Sequence, residues 1–201
     1  EICACLVGSE MCIRDRYIPV VLPASVVAVM WKFMLNKDIG LVNTLLRLVG
    51  LDNLTHAWIG EKSTALGTVI AVNTWQYIGF TMVLFYIAMM NISKDVLESA
   101  AVDGATKKDL FFNFFLPLTA GTTETNVILS ISGGMKSFAL FYMLTGGGPG
   151  KATTVVAQLI YTTAFVDFKF YRALAMSTVL FIIILTLVLI SRLIGRRYNY
   201  E

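Results

Sequence analysis

The feature that most constrains this chain is a run of 26 residues without a formal charge, from Ala65 to Met90. A helix rises about 1.5 Å per residue, so such a run is longer than the roughly 30 Å hydrocarbon core of a bilayer and spans it with some tilt. A second uncharged apolar run covers the 18 residues from Ala173 to Ile190. The whole chain is 57% apolar and 14% charged, whereas soluble domains have about 45–50% apolar and about 25% charged residues. We therefore predict an all-α, polytopic membrane protein.

Two further stretches complete a predicted bundle of four spans. Tyr17 to Leu35 is apolar, has the length of a span and carries two prolines near one end. Leu116 to Thr145 is less apolar and contains Glu124 and Lys136. Isolated charges near the centre of a bilayer cost roughly 2.5–3.5 kcal/mol on insertion scales, so we expect both side chains to face a cavity or to lie near helix ends.

The segment between the first two spans contains a short amphipathic pattern. Leu41, Leu45, Leu48 and Val49 keep helical spacing, which predicts a short helix lying at the membrane surface. Trp31 and Trp58 suit the headgroup region.

The segment from Asn91 to Pro117 is the polar centre of the chain. It holds seven of the 29 formal charges and lies between two apolar stretches, so it must sit in water. Its sequence predicts two short helices: Ser93 caps the first, with Ile92 packed on Leu97, and Asp103-Gly104 ends it. Thr106, with Asp109 three residues later, caps the second. The second arm carries a predicted apolar stripe, and Pro117 then suits a fresh helix start; the stripe consists of Leu110, Phe111, Phe114 and Phe115.

The polar amides Asn73 and Gln76 lie within the clearest span. Lipid offers them no hydrogen-bonding partner, so they must face protein or a water-filled path. An interhelical hydrogen bond and a contact with substrate are both open interpretations.

Several other features exclude function classes. The three cysteines all lie in the first twelve residues, far from the single His56, so we expect no metal site. The glycine-rich stretch Gly146 to Lys151 lacks the first glycine and the final hydroxyl residue of a phosphate-binding loop, and we interpret it as a tight turn. The net charge of +3 and the absence of a basic cluster interleaved with aromatic residues do not indicate nucleic-acid binding.

The two ends of the chain carry separate expectations. Residues 1–16 contain a run, Ser-Glu-Met-Cys-Ile-Arg-Asp-Arg, that resembles translated adapter sequence, and we expect them to be non-native and 17–201 to form one membrane domain. Arg192, Arg196 and Arg197 follow the last span and favour a cytoplasmic C-terminus. With four spans, the hairpin 91–117 then lies on the same side.

Three motifs carry a resemblance to a known family. The run Glu98-Ser99-Ala100-Ala101-Val102-Asp103-Gly104-Ala105, closed by Leu116-Pro117, resembles the EAA motif of permease subunits in binding-protein-dependent ABC importers, with Ser99 where alanine is usual. Phe33 to Asn43, and Thr145 to Pro149 followed by Tyr161 to Phe165, look like carbohydrate-uptake permeases related to the maltose and glycerol-3-phosphate systems. The resemblance covers residues 17–201.

The resemblance implies a type I ABC importer permease with about six spans, so we expect this chain to be N-terminally truncated. It implies that the hairpin docks in a groove of an ATPase subunit, and that the chain itself has no catalytic residue and no cofactor, because ATP is bound by the partner. The ATPase-coupling residues would be Glu98, Ala101, Asp103, Gly104, Ala105, Phe111, Leu116 and Pro117. Asn73, Gln76, Ser132 and Lys136 are candidates for the substrate path.

The implied partners are ABC ATPase subunits, a second permease subunit, a sugar, the lipid bilayer of the bacterial inner membrane and an extracytoplasmic solute-binding protein that touches residues 36–64 and 146–172. An amino-acid or polyamine permease is the alternative within the class. A secondary transporter remains a weaker alternative, with Glu124 and Lys136 as its only ionisable candidates.

Overall fold

The computed structural model describes residues 15–93, 95, 99–100, 102 and 104–198. Four residues to which the sequence analysis assigns a role in the hairpin lie outside these ranges: Leu97, Glu98, Ala101 and Asp103.

The first apolar stretch folds as two helices. Helix α1 (Asp15–Val21) and helix α2 (Ala24–Met34) meet at a bend of 110°. Pro23 stands at the N-cap of α2. Proline lacks the N–H that a continuous helix needs, and it pushes the residue before it towards an extended conformation. The predicted span from Tyr17 to Leu35 is therefore a bent pair and not one helix.

Helix α3 (Leu41–Leu48) is the short helix predicted for the segment that follows, and a 3-10 turn (Asp52–Leu54) comes after it. Its leucines point outward, since Leu45 and Leu48 are 52% and 78% exposed. Asn43 is buried on the inner side of the same helix.

Among the described residues, two helices are long and apolar enough to cross a membrane without a break. Helix α4 (Lys62–Met90) confirms the span predicted from Ala65, and it starts three residues earlier. Helix α9 (Phe170–Tyr198) confirms and extends the span predicted over Ala173–Ile190. Only 6% of the most apolar window of α9 is buried within the chain, so almost all of that surface is available to surroundings outside it.

The second arm of the hairpin is helix α5 (107–118). It consists of Lys107–Asp109, a π-helical turn (Leu110–Phe115) and Leu116–Leu118. Helix α6 (Ala120–Lys136) and helix α7 (Ala139–Thr145) follow, with a 46° bend between them. The predicted span over Leu116–Thr145 is therefore also broken. Up to four crossings result if each bent pair counts as one. Helix α8 (Val156–Val166), whose last turn is π-helical, precedes α9.

The described residues form two compact units. The first comprises the residues up to Gly79 together with Met135–Phe181. Its core lies between α2, the first half of α4 and α7, where Trp31 and Trp75 meet edge to face with ring centroids 5.4 Å apart. The buried side chains of that core are Val27, Ala28, Leu35, Val69, Val72, Leu140, Phe141 and Leu144.

The second unit comprises the described residues of Phe80–Gly134 and those from Ile182 onward. It contains the hairpin, most of α6 and the end of α9. The side chain of Glu124 on α6 packs over Gly195 of α9, where a Cβ atom would overlap the carboxylate. Glu124 is the fifth residue of α6, whereas Lys136 is its last residue and lies at the bend before α7, inside the predicted span and not near its end.

Candidate functional site

The end of the first hairpin arm has the geometry that the sequence predicts. Gly104 has φ +76°, and the N–H of Ala105 donates to the carbonyl of Ala100 at 3.0 Å. A left-handed residue followed by a bond from the next residue back across six positions is the Schellman helix stop. Among the described residues, no atom beyond the chain neighbours lies within 4 Å of a Cβ built at Gly104, so it is the positive φ and not crowding that favours glycine there.

Thr106 and Asp109 form a reciprocal cap at the start of the second arm. The Thr106 hydroxyl donates to Asp109 Oδ2 at 2.6 Å, and the Thr106 N–H donates to the same oxygen at 3.0 Å. The Asp109 N–H donates back to Thr106 Oγ1 at 3.4 Å. These bonds, first from the side chain and then from the backbone of Thr106, hold the pKa of Asp109 below its ordinary value. The predicted cap is confirmed.

The four residues of the apolar stripe predicted for the second arm differ in their exposure. The turn Leu110–Phe115 is π-helical, and a π turn bonds residue i to i+5, which shifts the positions that share a face. Phe111 and Phe112 are 47% and 63% exposed. Leu110, Phe114 and Phe115 are partly buried. The i→i+5 register places Leu110 and Phe115 on the same face, and Phe111 is the one exposed member of the predicted stripe.

The described hairpin residues expose four large apolar side chains, those of Val102, Phe111, Phe112 and Leu116. Phe111 and Phe112 meet edge to face at 5.2 Å. Sequence reasoning singled out Phe111 and Leu116 but not Val102 or Phe112, because both lie outside the apolar faces that helical spacing predicts. Pro117 is exposed within the first turn of Leu116–Leu118, as predicted, and Ala105 is partly buried. The remaining predicted coupling residues, Glu98, Ala101 and Asp103, lie outside the described residues.

Gln76 makes an interhelical hydrogen bond. It is 2% exposed, and its Nε2 donates to the carbonyl of Leu22 at 3.2 Å. That carbonyl lies at the α1–α2 break, where Pro23 interrupts the helical ladder. The Oε1 atom of Gln76 is buried without a partner, and Asn73, one turn earlier on α4, is partly buried.

The four candidates for the substrate path are divided between the two units. Asn73, Gln76 and Lys136 belong to the first unit and Ser132 to the second. Ser132 is partly buried and Lys136 is exposed. Within the described residues, no hydrogen bond links any two of these four side chains.

The glycine-rich stretch is a tight turn between α7 and α8. Gly146 and Gly147 have φ +62° and +92°, and the Gly148-Pro149 peptide is cis. Thr153 closes the turn, with its hydroxyl 2.7 Å from that of Thr145 and bonded to the Gly148 carbonyl at 2.8 Å. The interpretation as a turn is confirmed. Among the described residues, no group of three His, Cys, Asp or Glu side chains could hold a metal ion.

Comparison with known proteins places this architecture. The family model for the "Binding-protein-dependent transport system inner membrane component" matches residues 16–200. The probable ABC transporter permease protein YurN of Bacillus subtilis (strain 168) is 38% identical over 175 residues, which are 87% of this chain and 60% of that protein. The diacetylchitobiose uptake system permease protein NgcF of Streptomyces coelicolor is 31% identical over 182 residues, 90% of this chain and 52% of that protein. The chain thus spans about half to three-fifths of the length of these two relatives.

A solved structure has the same fold. A chain in the crystal structure of a bacterial alginate ABC transporter, in complex with an alginate pentasaccharide-bound periplasmic protein, matches 94% of this chain and 66% of its own length. The TM-score is 0.85 at 23% sequence identity. Together with the family match, which covers nearly the whole chain, this shows that the protein belongs to the family of inner membrane components of binding-protein-dependent transport systems.

Proposed function

We propose that the chain is a membrane-spanning permease subunit of an ATP-driven sugar importer, and that the hairpin 91–117 couples it to a separate ATPase subunit. The observation that carries this proposal is the exposure of four large apolar side chains, Val102, Phe111, Phe112 and Leu116, on a segment rich in charges, with Phe111 and Phe112 in direct contact. Exposed apolar patches with polar rims mark contacts with protein partners. The EAA-like motif, which includes Glu98, Ala101 and Asp103, supports an ATPase as that partner.

The geometry of the hairpin suits the transmission of force. The Schellman stop at Gly104 and the cap at Thr106 fix the turn between the arms by hydrogen bonds. The hairpin follows the last residue of α4, Met90, and leads into α6 at Ala120. A rigid-body movement imposed by closing ATPases would thereby reach two membrane helices directly. ATP is hydrolysed by the partner and not by this chain.

Carbohydrate is the substrate class that the comparisons favour. NgcF is named for the uptake of diacetylchitobiose, and the solved relative is a transporter of alginate. Sugars present hydroxyl groups, which need polar partners inside a path through the membrane. The unpaired buried Oε1 of Gln76 and the nearby Asn73 can supply such partners. No comparable observation favours an amino acid or a polyamine.

The secondary-transporter alternative requires ionisable groups paired near the middle of the membrane. Glu124 and Lys136 stand at the two ends of α6, and twelve residues at 1.5 Å each put their backbones about 18 Å apart. They cannot pair, so the structure does not favour this alternative.

The proposal includes an orientation and further subunits. The hairpin and C-terminus face the cytoplasm of a bacterial cell, in its inner membrane. Residues 36–64 and 146–172 then face outward, where a solute-binding protein delivers the sugar, and a second permease subunit completes the path.

Co-purification tests the coupling assignment. The permease is expressed with its ATPase and partner permease subunits, and the ATPase retained by the wild type and by Glu98→Ala is quantified. We expect retention by the wild type and its loss in the variant, at equal amounts of inserted permease. Asp95→Ala, in the same hairpin but outside the motif, is the matched control. A wild-type permease that retains no ATPase would reject the proposal.

A further inference from the structure

In the segment between α2 and α4, residues 36–61, one buried polar side chain links parts that are distant in sequence. Apart from α3 and a 3-10 turn of three residues, this segment has no regular structure. Asn43 lies within it at 1% exposure, although its neighbours on the outer side of α3 are leucines. A buried amide is costly unless its hydrogen bonds are satisfied.

Asn43 satisfies both ends of its amide with three partners from other parts of the segment. Its Nδ2 donates to the carbonyls of Lys37 and His56, each at 3.0 Å. Its Oδ1 accepts from Trp58 Nε1 at 2.7 Å. The two carbonyls require the NH₂ group and the indole N–H requires the oxygen, so the partners themselves determine the orientation of the amide.

These bonds connect parts of the segment that lie outside regular secondary structure. The partners lie six, thirteen and fifteen residues from Asn43 in the sequence. The turn at 37–40 and the stretch 55–61 each have local hydrogen bonds, such as Gly40 N–H to the Asn36 carbonyl and Gly60 N–H to the Ala57 carbonyl, and the Asn43 amide joins the two stretches to each other. Trp58 and Val42 in turn pack against the buried core of α2, α4 and α7. The exposed segment is thereby tied to the membrane helices.

We propose that Asn43 is a positioning residue that holds residues 36–61 as a preformed surface for the solute-binding protein. This inference rests on the proposed function, which places the segment outside the membrane. A surface ordered before contact costs less conformational entropy on binding than one ordered by the partner. Asn43 is buried, so it acts through the segment and touches no partner.

The test uses the whole transporter, reconstituted with its ATPase and partner permease subunits in nanodiscs. ATPase activity is measured against the concentration of sugar-loaded binding protein. We expect Asn43→Leu to raise the half-saturating concentration about tenfold or more, which corresponds to about 1.4 kcal/mol per factor of ten, with the maximal rate within about twofold of wild type. Trp58→Phe, which removes only the indole N–H and part of the ring, should give a smaller rise.

Thr44→Val is the matched control, because Thr44 bonds only to the Gly40 carbonyl within its own helix start; it should leave the half-saturating concentration unchanged. Backbone hydrogen exchange provides a second readout: Asn43→Leu should accelerate exchange at 37–40 and 55–61 and leave α4 unaffected.

Two outcomes overturn the role of Asn43 alone. One is a wild-type half-saturating concentration in both Asn43→Leu and Trp58→Phe. The other is a fall in maximal rate without a change in half-saturation, which would indicate a general loss of stability. If loaded binding protein does not stimulate the wild-type complex at all, the proposed function fails as well, and the two failures are thereby distinguished.

Discussion

At the scale of single residues, Gly104 is the position where the backbone most clearly dictates the side chain. Its φ of +76° is strained for a β-branched residue, while asparagine adopts this region more readily. We expect Gly104→Val to abolish uptake, since the left-handed conformation costs roughly 1–2 kcal/mol for a residue with a Cβ. Gly104→Asn should retain most of it. Uptake is compared at equal membrane insertion, and equal activity of both variants would contradict the assignment of this turn.

Asp109 makes the second arm sensitive to acid. Its pKa is lowered by the bonds from Thr106, so the charged form is favoured in the folded hairpin. The resulting stabilisation is present above the ordinary carboxyl pKa of about 3.9 and is lost as pH falls through the lowered value. Thr106→Val should bring the pKa of Asp109 up towards its ordinary value. Isotope-edited infrared titration of the Asp109 carboxyl in the wild type and in Thr106→Val measures this, and an unchanged titration would contradict it.

At the scale of elements, the π turn decides which aromatic rings reach a partner. Phe112 is exposed and Phe115 is partly buried. We expect Phe112→Ala to weaken ATPase retention about tenfold without reducing the amount of folded permease. Phe115→Ala should instead lower thermal stability, since burial of an aromatic ring contributes about 1.5–3 kcal/mol when complete. Retention and melting temperature are measured on both variants. A reversed pattern would contradict the assignment of Phe112 to the contact with the ATPase and of Phe115 to internal packing.

The contact between α6 and α9 depends on the missing side chain of Gly195. A Cβ there would overlap the carboxylate of Glu124. Because the overlapping atoms end a flexible side chain, Gly195→Ala needs only a shift of Glu124, and we expect the gain in helix propensity, about 1 kcal/mol, to appear in full only when Glu124→Ala is also present. Thermal unfolding of the two single variants and the double variant measures the coupling. Additive effects would show that the two residues do not touch.

At the scale of the whole molecule, the topology is tested most directly at α4, one of the two unbroken helices that are long enough to cross the membrane. Ile39 precedes α4 and Val102 follows it, and the two are 77% and 87% exposed. In a background without Cys3, Cys5 and Cys12, we expect Ile39→Cys to react with an impermeant maleimide in intact cells. Val102→Cys should react only after permeabilisation. Labelling of both from the same side would contradict a membrane crossing by α4.

What the sequence determined by itself is the local part of this architecture. The spans α4 and α9 follow from long runs without charge, and the Gly104 stop and the Thr106 cap follow from residue types whose partners lie within five positions. Such features can be predicted from sequence because local backbone geometry brings residues that are near in sequence together, independently of the tertiary fold.

The tertiary structure decided the rest. The burial of Asn43, whose bonds to His56 and Trp58 reach 13 and 15 residues along the chain, was not predicted, although an amide among leucines was a visible signal. The partner of Gln76 lies 54 residues away, at a carbonyl that the break before Pro23 leaves free. The π-helical turn at 110–115 was likewise not predicted, because the sequence pattern was analysed at 3.6 residues per turn. These outcomes depend on which distant groups packing brings together, and no short pattern encodes that choice.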